Sequence, residues 1–244
     1  MKLKLKKNEI LVLRDVQSDM TSRGGFIYPE SGYVEAPDWK PHDRCGNGLH
    51  GLPWGTGGEY FISGGNGKYL VLRVNTSKDY IYGSGEMVDK CKFKAGEVVY
   101  CGSLRGAVDL IQEYAPTNTP INYAMQYGED KVTQTAGECS TQTAGECSTQ
   151  TASDGSTQTA CDYSTQKAGD WSNQTTGDKS TQTAGERSRQ TAGDMSTQTG
   201  GIDTVQIIKY HDGNKWTVKT RIVTNKEANK PYKFYDGDWH LVED

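Results

Sequence analysis

Glutamine recurs every eight residues without a gap, at Gln134, Gln142, Gln150, Gln158, Gln166, Gln174, Gln182, Gln190 and Gln198. Gln126 and Gln206 continue the register on either side. Around each glutamine the same octad returns, S-T-Q-T-A-G-D/E-x, and nine copies fill residues 132–203. A fixed short period marks a stacked-repeat architecture, in which each unit buries its inner face only against its neighbours. Nothing else in the chain restricts its fold as strongly.

An octad reads as an extended segment of about five residues followed by a tight corner. Side chains alternate along a strand, so Ser, Gln and Ala at positions one, three and five share one face and the two Thr share the other. Gly and an acid at positions six and seven suit the corner, because Gly accepts positive φ and acids prefer water. Position eight varies among Cys, Gly, Tyr, Trp, Lys, Arg and Met, which excludes a packed interior. Lys167, Asn173 and Arg189 stand at Thr positions, where long polar chains must reach solvent. Ser, Gln and Ala therefore face inward and Thr faces outward.

Two strands per turn make a 16-residue coil, and nine octads make four and a half coils. At ~4.8 Å per rung the stack is about 22 Å long. One flank then carries Thr133, Thr135, Thr149, Thr151, Thr165, Thr181, Thr183, Thr197 and Thr199, interrupted by Lys167. The opposite flank carries Thr141, Thr143, Thr157, Thr159, Thr175 and Thr191, with Asn173 and Arg189 among them. The first is the candidate binding surface, and the nine glutamines are the candidate interior ladder, their amides bonded along the axis. An interior of Ser, Gln and Ala gains little at ~25 cal/mol per Å² of apolar surface, so hydrogen bonds must supply most of the cohesion. The end rungs of such a stack are open strand edges and need caps.

The flanking segments read differently. Residues 1–115 suggest a small α+β domain, with a strand at 69–74 and a helix capped by Ser103 that turns Leu104, Ala107, Val108, Leu110 and Ile111 to one side. Residues 116–131 are the expected linker or first cap. Residues 204–244 read as a C-terminal β cap: strands at 205–210 and 216–223 around a turn at 211–214, then the turn Asp236-Gly237-Asp238 before 239–242. Lys2-Leu3-Lys4-Leu5 alternates like a strand. The apolar run behind it is too short for a secretory signal, and no run reaches the ~18 residues of a membrane span, so cytoplasmic residence is the default expectation.

Net charge is −4, and the array holds the excess: nine acids against four bases within 132–203, with 22 acids against 23 bases elsewhere. No basic surplus points to a nucleic-acid partner. The six cysteines (Cys45, Cys91, Cys101, Cys139, Cys147, Cys161) include no C-x-x-C pair and read as free thiols.

With STQTAG in this register, residues 132–201 resemble bacterial ice-nucleation proteins, whose AGYGSTxT octapeptides are grouped into 16-residue coils. The resemblance implies a β-solenoid whose outward Thr-x-Thr rows order water. The Tyr of that family's corner has a counterpart only in Tyr163. The stretches DMTSRGGF (19–26), APDW (36–39) and CGNGLHG (45–51) resemble a family of small uncharacterised domains of bacteria and their phages, which implies no activity. Gly48-Leu49-His50, followed by the strand at 69–74 and the helix after Ser103, is also similar to ADP-ribosyltransferase-like folds, which hold a nicotinamide cofactor. A recognisable catalytic Glu motif is missing.

Other constellations have plainer readings. Cys45 and His50 fit a turn around Gly46-Asn47-Gly48 better than a thiol–imidazole pair or a metal site. Ser63-Gly64-Gly65-Asn66-Gly67-Lys68 lacks the spacing of a phosphate loop and reads as a hairpin turn. Glu138, Glu146, Asp154, Asp162, Asp170, Asp178, Glu186 and Asp194 read as solvated corners, since Ca²⁺-binding β-rolls have a nine-residue period with more glycine. Cys139 and Cys147, like Tyr163 and Trp171, fall on opposite edges of the coil. The expectation is a mainly β, non-catalytic protein: a β-solenoid of 16-residue coils capped by a small N-terminal α+β domain and a C-terminal β segment. It has no cofactor or metal, and its partners are ice or further copies of itself. The alternatives are a scaffold or filament protein without ice activity, and an enzyme in the N-terminal domain.

Overall fold

The structure, a computed structural model, describes residues 2–57 and 67–242. The chain divides into two units, Met1–Ile121 and Asn122–Asp244.

Short apolar runs, continuous in the central strands, build the first unit. Its strands are β1 (Glu9–Val16), β2 (Gly32–Glu35), β3 (Leu49–Pro53), β4 (Lys68–Asn75), β5 (Tyr80–Ile81), β6 (Cys91–Phe93) and β7 (Ala95–Gly102). They form one antiparallel sheet in the order β2-β7-β4-β1-β3-β6-β5. Helix α1 (Leu104–Tyr114) follows its expected cap, and the Ser103 hydroxyl accepts the Gly106 N–H at 3.2 Å. Ala107, Val108 and Ile111 are buried against the sheet side of the unit, while Leu110 is half-buried. Val12, Leu70, Leu72, Val74, Phe93 and Val98 form the heart of the core. The alternation of Lys2-Leu3-Lys4-Leu5 survives as alternating exposure, but among the described residues no strand pairs with it, and the expected strand does not form. Its backbone is held singly instead, the Leu3 N–H by the Tyr114 hydroxyl and the Lys4 carbonyl by Arg73.

In the second unit the octads wind into two parallel sheets. One contains the rungs Thr133–Thr135, Thr149–Thr151, Thr165–Lys167, Thr181–Thr183 and Thr197–Thr199. The other contains Met125–Tyr127, Thr141–Thr143, Thr157–Thr159, Asn173–Thr175, Arg189–Ala192 and Val205–His211. Every rung but the last of each sheet pairs with the one sixteen residues on, as in Gln142↔Gln158 and Gln150↔Gln166. The rungs at Gln126 and Gln206 raise the nine expected to eleven, so the stretch 116–131 supplies part of the solenoid itself. Six rungs in one sheet span about 24 Å. Apart from Arg189–Ala192 and Val205–His211, each paired strand is three residues long instead of five, yet the hydrogen bonding reaches Ser and Ala: the Thr157 N–H donates to the Ser140 carbonyl and the Ala160 N–H to the Thr175 carbonyl.

Two antiparallel hairpins close the C-terminal end. Val205–His211 turns back into Trp216–Ile222, and the last rung of the other sheet pairs with Tyr232–Tyr235, which pairs in turn with Asp238–Leu241. Here the polar interior gives way to Ala192, Ile208 and Phe234. Arg221 terminates one glutamine ladder by donating from Nε to Gln206 Oε1 at 2.7 Å, its guanidinium stacked 3.8 Å over Tyr232.

Candidate functional site

The outward face of the solenoid is positioned by what lies behind it. All the glutamines from Gln142 to Gln206 are buried, at 0–1% exposure. Each donates from Nε2 to the Oε1 of the glutamine one coil earlier, at 2.8–3.2 Å. Through the middle of the stack the second Nε2 proton crosses the interior to a carbonyl of the opposite sheet at 3.0–3.1 Å, as Gln150 does to Thr159 and Gln158 to Lys167. A buried amide left without partners would cost about 1–3 kcal/mol per group, so this satisfaction decides whether a polar interior is tolerable.

Serine forms a second ladder. The backbone N–H of Ser140 donates to Ser156 Oγ, and those of Ser148, Ser156, Ser164, Ser172 and Ser180 likewise donate one coil on, at 3.1–3.3 Å. Aspartate at position seven forms a third. Asp130, Asp154, Asp162, Asp170 and Asp178 each accept, through Oδ1, the backbone N–H of position seven in the next coil at 2.7–2.9 Å. These acids cap a corner as well as meeting solvent. Among the described residues no group of acids, His or Cys is arranged to hold a metal ion.

This ladder revises the role of glycine. Positive φ falls at position eight, on Cys139, Cys147, Gly155, Tyr163, Trp171, Lys179, Arg187, Met195 and Asp203, and not on the Gly of position six. That glycine is needed for close approach: a Cβ on Gly145, Gly169, Gly177, Gly185 or Gly193 would collide with the Oδ1 of Asp130, Asp154, Asp162, Asp170 or Asp178. Where the preceding coil has Glu138 or Glu146 in place of Asp, position six carries Ser153 and Cys161. Glu186 departs from this pattern: one coil on stands Gly201, whose Cβ would meet the Glu186 backbone nitrogen instead of a carboxylate.

With backbone and core locked in register, the threonines form rows. Thr133, Thr149, Thr165, Thr181 and Thr197 stack in one row, and Thr135, Thr151, Lys167, Thr183 and Thr199 in the other. All are exposed or half-buried. The opposite sheet is less uniform, running Met125, Thr141, Thr157, Asn173, Arg189, Val205 and Tyr127, Thr143, Thr159, Thr175, Thr191, Ile207. Along the edges, position-eight side chains pair one coil apart: Lys179 lies 5.3 Å from the Tyr163 ring centre and Arg187 5.1 Å from that of Trp171. Cys139, Cys147 and Cys161 are exposed.

The comparisons with known proteins concern 39–46% of the chain. Over 108 residues it is 32% identical to an ice nucleation protein of Pantoea ananas and to another of Enterobacter agglomerans, and over 110 residues 34% identical to one of Pseudomonas fluorescens. Its repeat unit is an ice-nucleation-protein-like octapeptide solenoid. The matched stretch spans only 8–10% of the length of those three proteins. No family model and no solved structure matches the chain.

In the first unit, Cys45 and His50 reach the rim of one cleft, but the thiol's partner is Lys90, whose Nζ donates to Sγ at 2.8 Å. His50 lies on β3, and its pKa is lowered to about 4, first by burial and then by Arg14, Lys90 and Lys92. Residues 63–66 of the Ser63–Lys68 turn lie outside the described residues; Lys68 opens β4. Among the described residues no helix is long and apolar enough to cross a membrane.

Proposed function

We propose that the solenoid is a non-catalytic, water-ordering surface and that its working face is the flank of Thr133, Thr135, Thr149, Thr151, Thr165, Thr181, Thr183, Thr197 and Thr199. The supporting observation is the register: two threonine rows, interrupted only at Lys167, on a sheet whose backbone is fixed by three internal hydrogen-bond ladders. Threonines two apart on a strand are separated by ~6.7 Å and recur at ~4.8 Å between rungs, so hydroxyls and methyls form a regular grid. A grid fixed before water arrives loses little entropy in ordering it. The likeness to ice nucleation proteins supports ice as the ordered phase. Replacing Thr149, Thr151, Thr181 and Thr183 together by Lys abolishes ice shaping and thermal hysteresis on this reading while the fold persists.

A second reading, assembly of copies into a scaffold, is favoured by the exposed Trp171 and Tyr163 on the coil edges and by Trp216, Val218 and Ile222 on the outermost cap strand. It predicts that the same four substitutions leave freezing unchanged, while loss of those aromatic side chains reduces particle size in light scattering.

A further inference from the structure

Three sequence stretches that the solenoid does not explain, 19–26, 36–39 and 45–51, converge in the first unit. Ser22, Gly25, Phe26, Asp38, Asn47 and His50, drawn from all three, line one cleft of about 520 Å³, together with Arg14 and Tyr28. A second cleft of about 320 Å³ shares Arg14, Gly46 and His50 with it and adds Arg23, Lys90, Cys45 and Asp15. We propose that these joined clefts bind a small planar molecule carrying an anionic group, with the chemistry of a nucleoside monophosphate.

The two halves differ in the way such a ligand requires. The larger cleft offers one aromatic ring, the half-buried Phe26, set perpendicular to the buried Tyr28 with ring centres 5.0 Å apart. Gly24, Gly25 and Gly46 line it or its junction, and a Cβ on any of them would meet only open space, so the entrance is kept clear by absent side chains. The smaller cleft sets three cations, Arg14, Arg23 and Lys90, against one carboxylate, Asp15. Arg14 is only 9% exposed, and its Nη1 donates to the His50 carbonyl at 3.4 Å, which fixes a guanidinium at the junction of the two halves. Guanidinium binds phosphate and carboxylate through paired donors, and aromatic faces hold planar heterocycles.

His50 supplies the third requirement. Its Nε2 is buried and has no hydrogen-bond partner within the chain, and such an atom is satisfied by water or by a ligand. The ring is neutral at pH 7, so it adds no charge and offers one hydrogen bond to a hydroxyl or ring nitrogen.

The test is titration of the full chain by calorimetry and by amide NMR with adenosine monophosphate, adenosine and inorganic phosphate in parallel. Adenosine monophosphate is expected to bind with a dissociation constant below about 1 mM, and each half-ligand at least about tenfold more weakly. Arg14 is part of the packing and its loss endangers folding, so the informative variants are the solvent-facing Arg23→Gln and the imidazole replacement His50→Asn, each expected to weaken binding about tenfold. No binding of adenosine monophosphate to the folded chain at millimolar concentration overturns the proposal. Affinity unchanged in both variants overturns it too, by placing the ligand elsewhere. Inorganic phosphate binding as tightly as the nucleotide removes the planar half and overturns the assignment of ligand class.

Discussion

The two units of this chain solve the same problem with opposite materials. The first buries Leu11, Leu13, Leu70, Leu72 and Phe93 in an apolar core. The second buries glutamine and serine at near-zero exposure and relies on ladders that repeat every sixteen residues. Apolar packing is forgiving about direction but depends on filled volume; a polar ladder is indifferent to volume and fails when one partner is lost. The contrast suits their surfaces. A regular threonine grid needs a regular backbone behind it, and identical hydrogen bonds in every coil deliver one.

The comparison can be broken most severely in the middle of the array. Gln158→Ala removes two donated bonds and leaves one of the two Gln174 Nε2 protons without its acceptor. We expect a loss of about 4 kcal/mol, read from the denaturant midpoint of the array. Leu72→Ala, in the apolar core, should cost about 3 kcal/mol through its cavity alone, and Leu72→Met far less, whereas Gln158→Met should recover almost nothing. Equal rescue by methionine in both units would erase the distinction drawn between them.

At the corners, Gly177→Ala should destabilise by about 3 kcal/mol because its Cβ collides with Asp162 Oδ1. Adding Asp162→Ala should return part of that loss, and a double-mutant cycle should give a coupling of about 1–2 kcal/mol. Additive losses would mean that the glycine answers to its own dihedral angles. The smallest expected effect has the opposite sign. Thr176 occupies an alanine position, and its buried Oγ1 has no hydrogen-bond partner. Thr176→Ala should stabilise the array by about 1 kcal/mol, a rise visible in thermal unfolding.

The period made the array legible. Gln126 and Gln206 already marked the two rungs beyond the nine octads, and the mixture of Lys167, Asn173 and Arg189 at threonine positions marked the outer face. The cap of α1 was equally plain, because local chemistry decides it, while the turn expected at 211–214 falls one residue later, His211 ending the strand Val205–His211. The corner was not, for a physical reason. Position eight adopts positive φ with Tyr163, Trp171, Arg187 and other side chains that give no hint of it, and the glycine that draws attention is required by a carboxylate one coil away. Nor does any local signal announce that β1 lies between β3 and β4, or that the alternating Leu3 and Leu5 find no strand partner among the described residues. Arg221, the residue that ends a glutamine ladder, lies in a segment that reads only as an alternating strand.

Everything proposed for the threonine face depends on the glutamines behind it. Side-chain amide NMR on the full chain tests that dependence directly. The Nε2 protons of Gln158, Gln166 and Gln174 should exchange with solvent slowly, and each should show cross-peaks to the glutamine sixteen residues away. Side-chain amides that exchange as fast as those of a free peptide, with no such cross-peaks, would contradict the account.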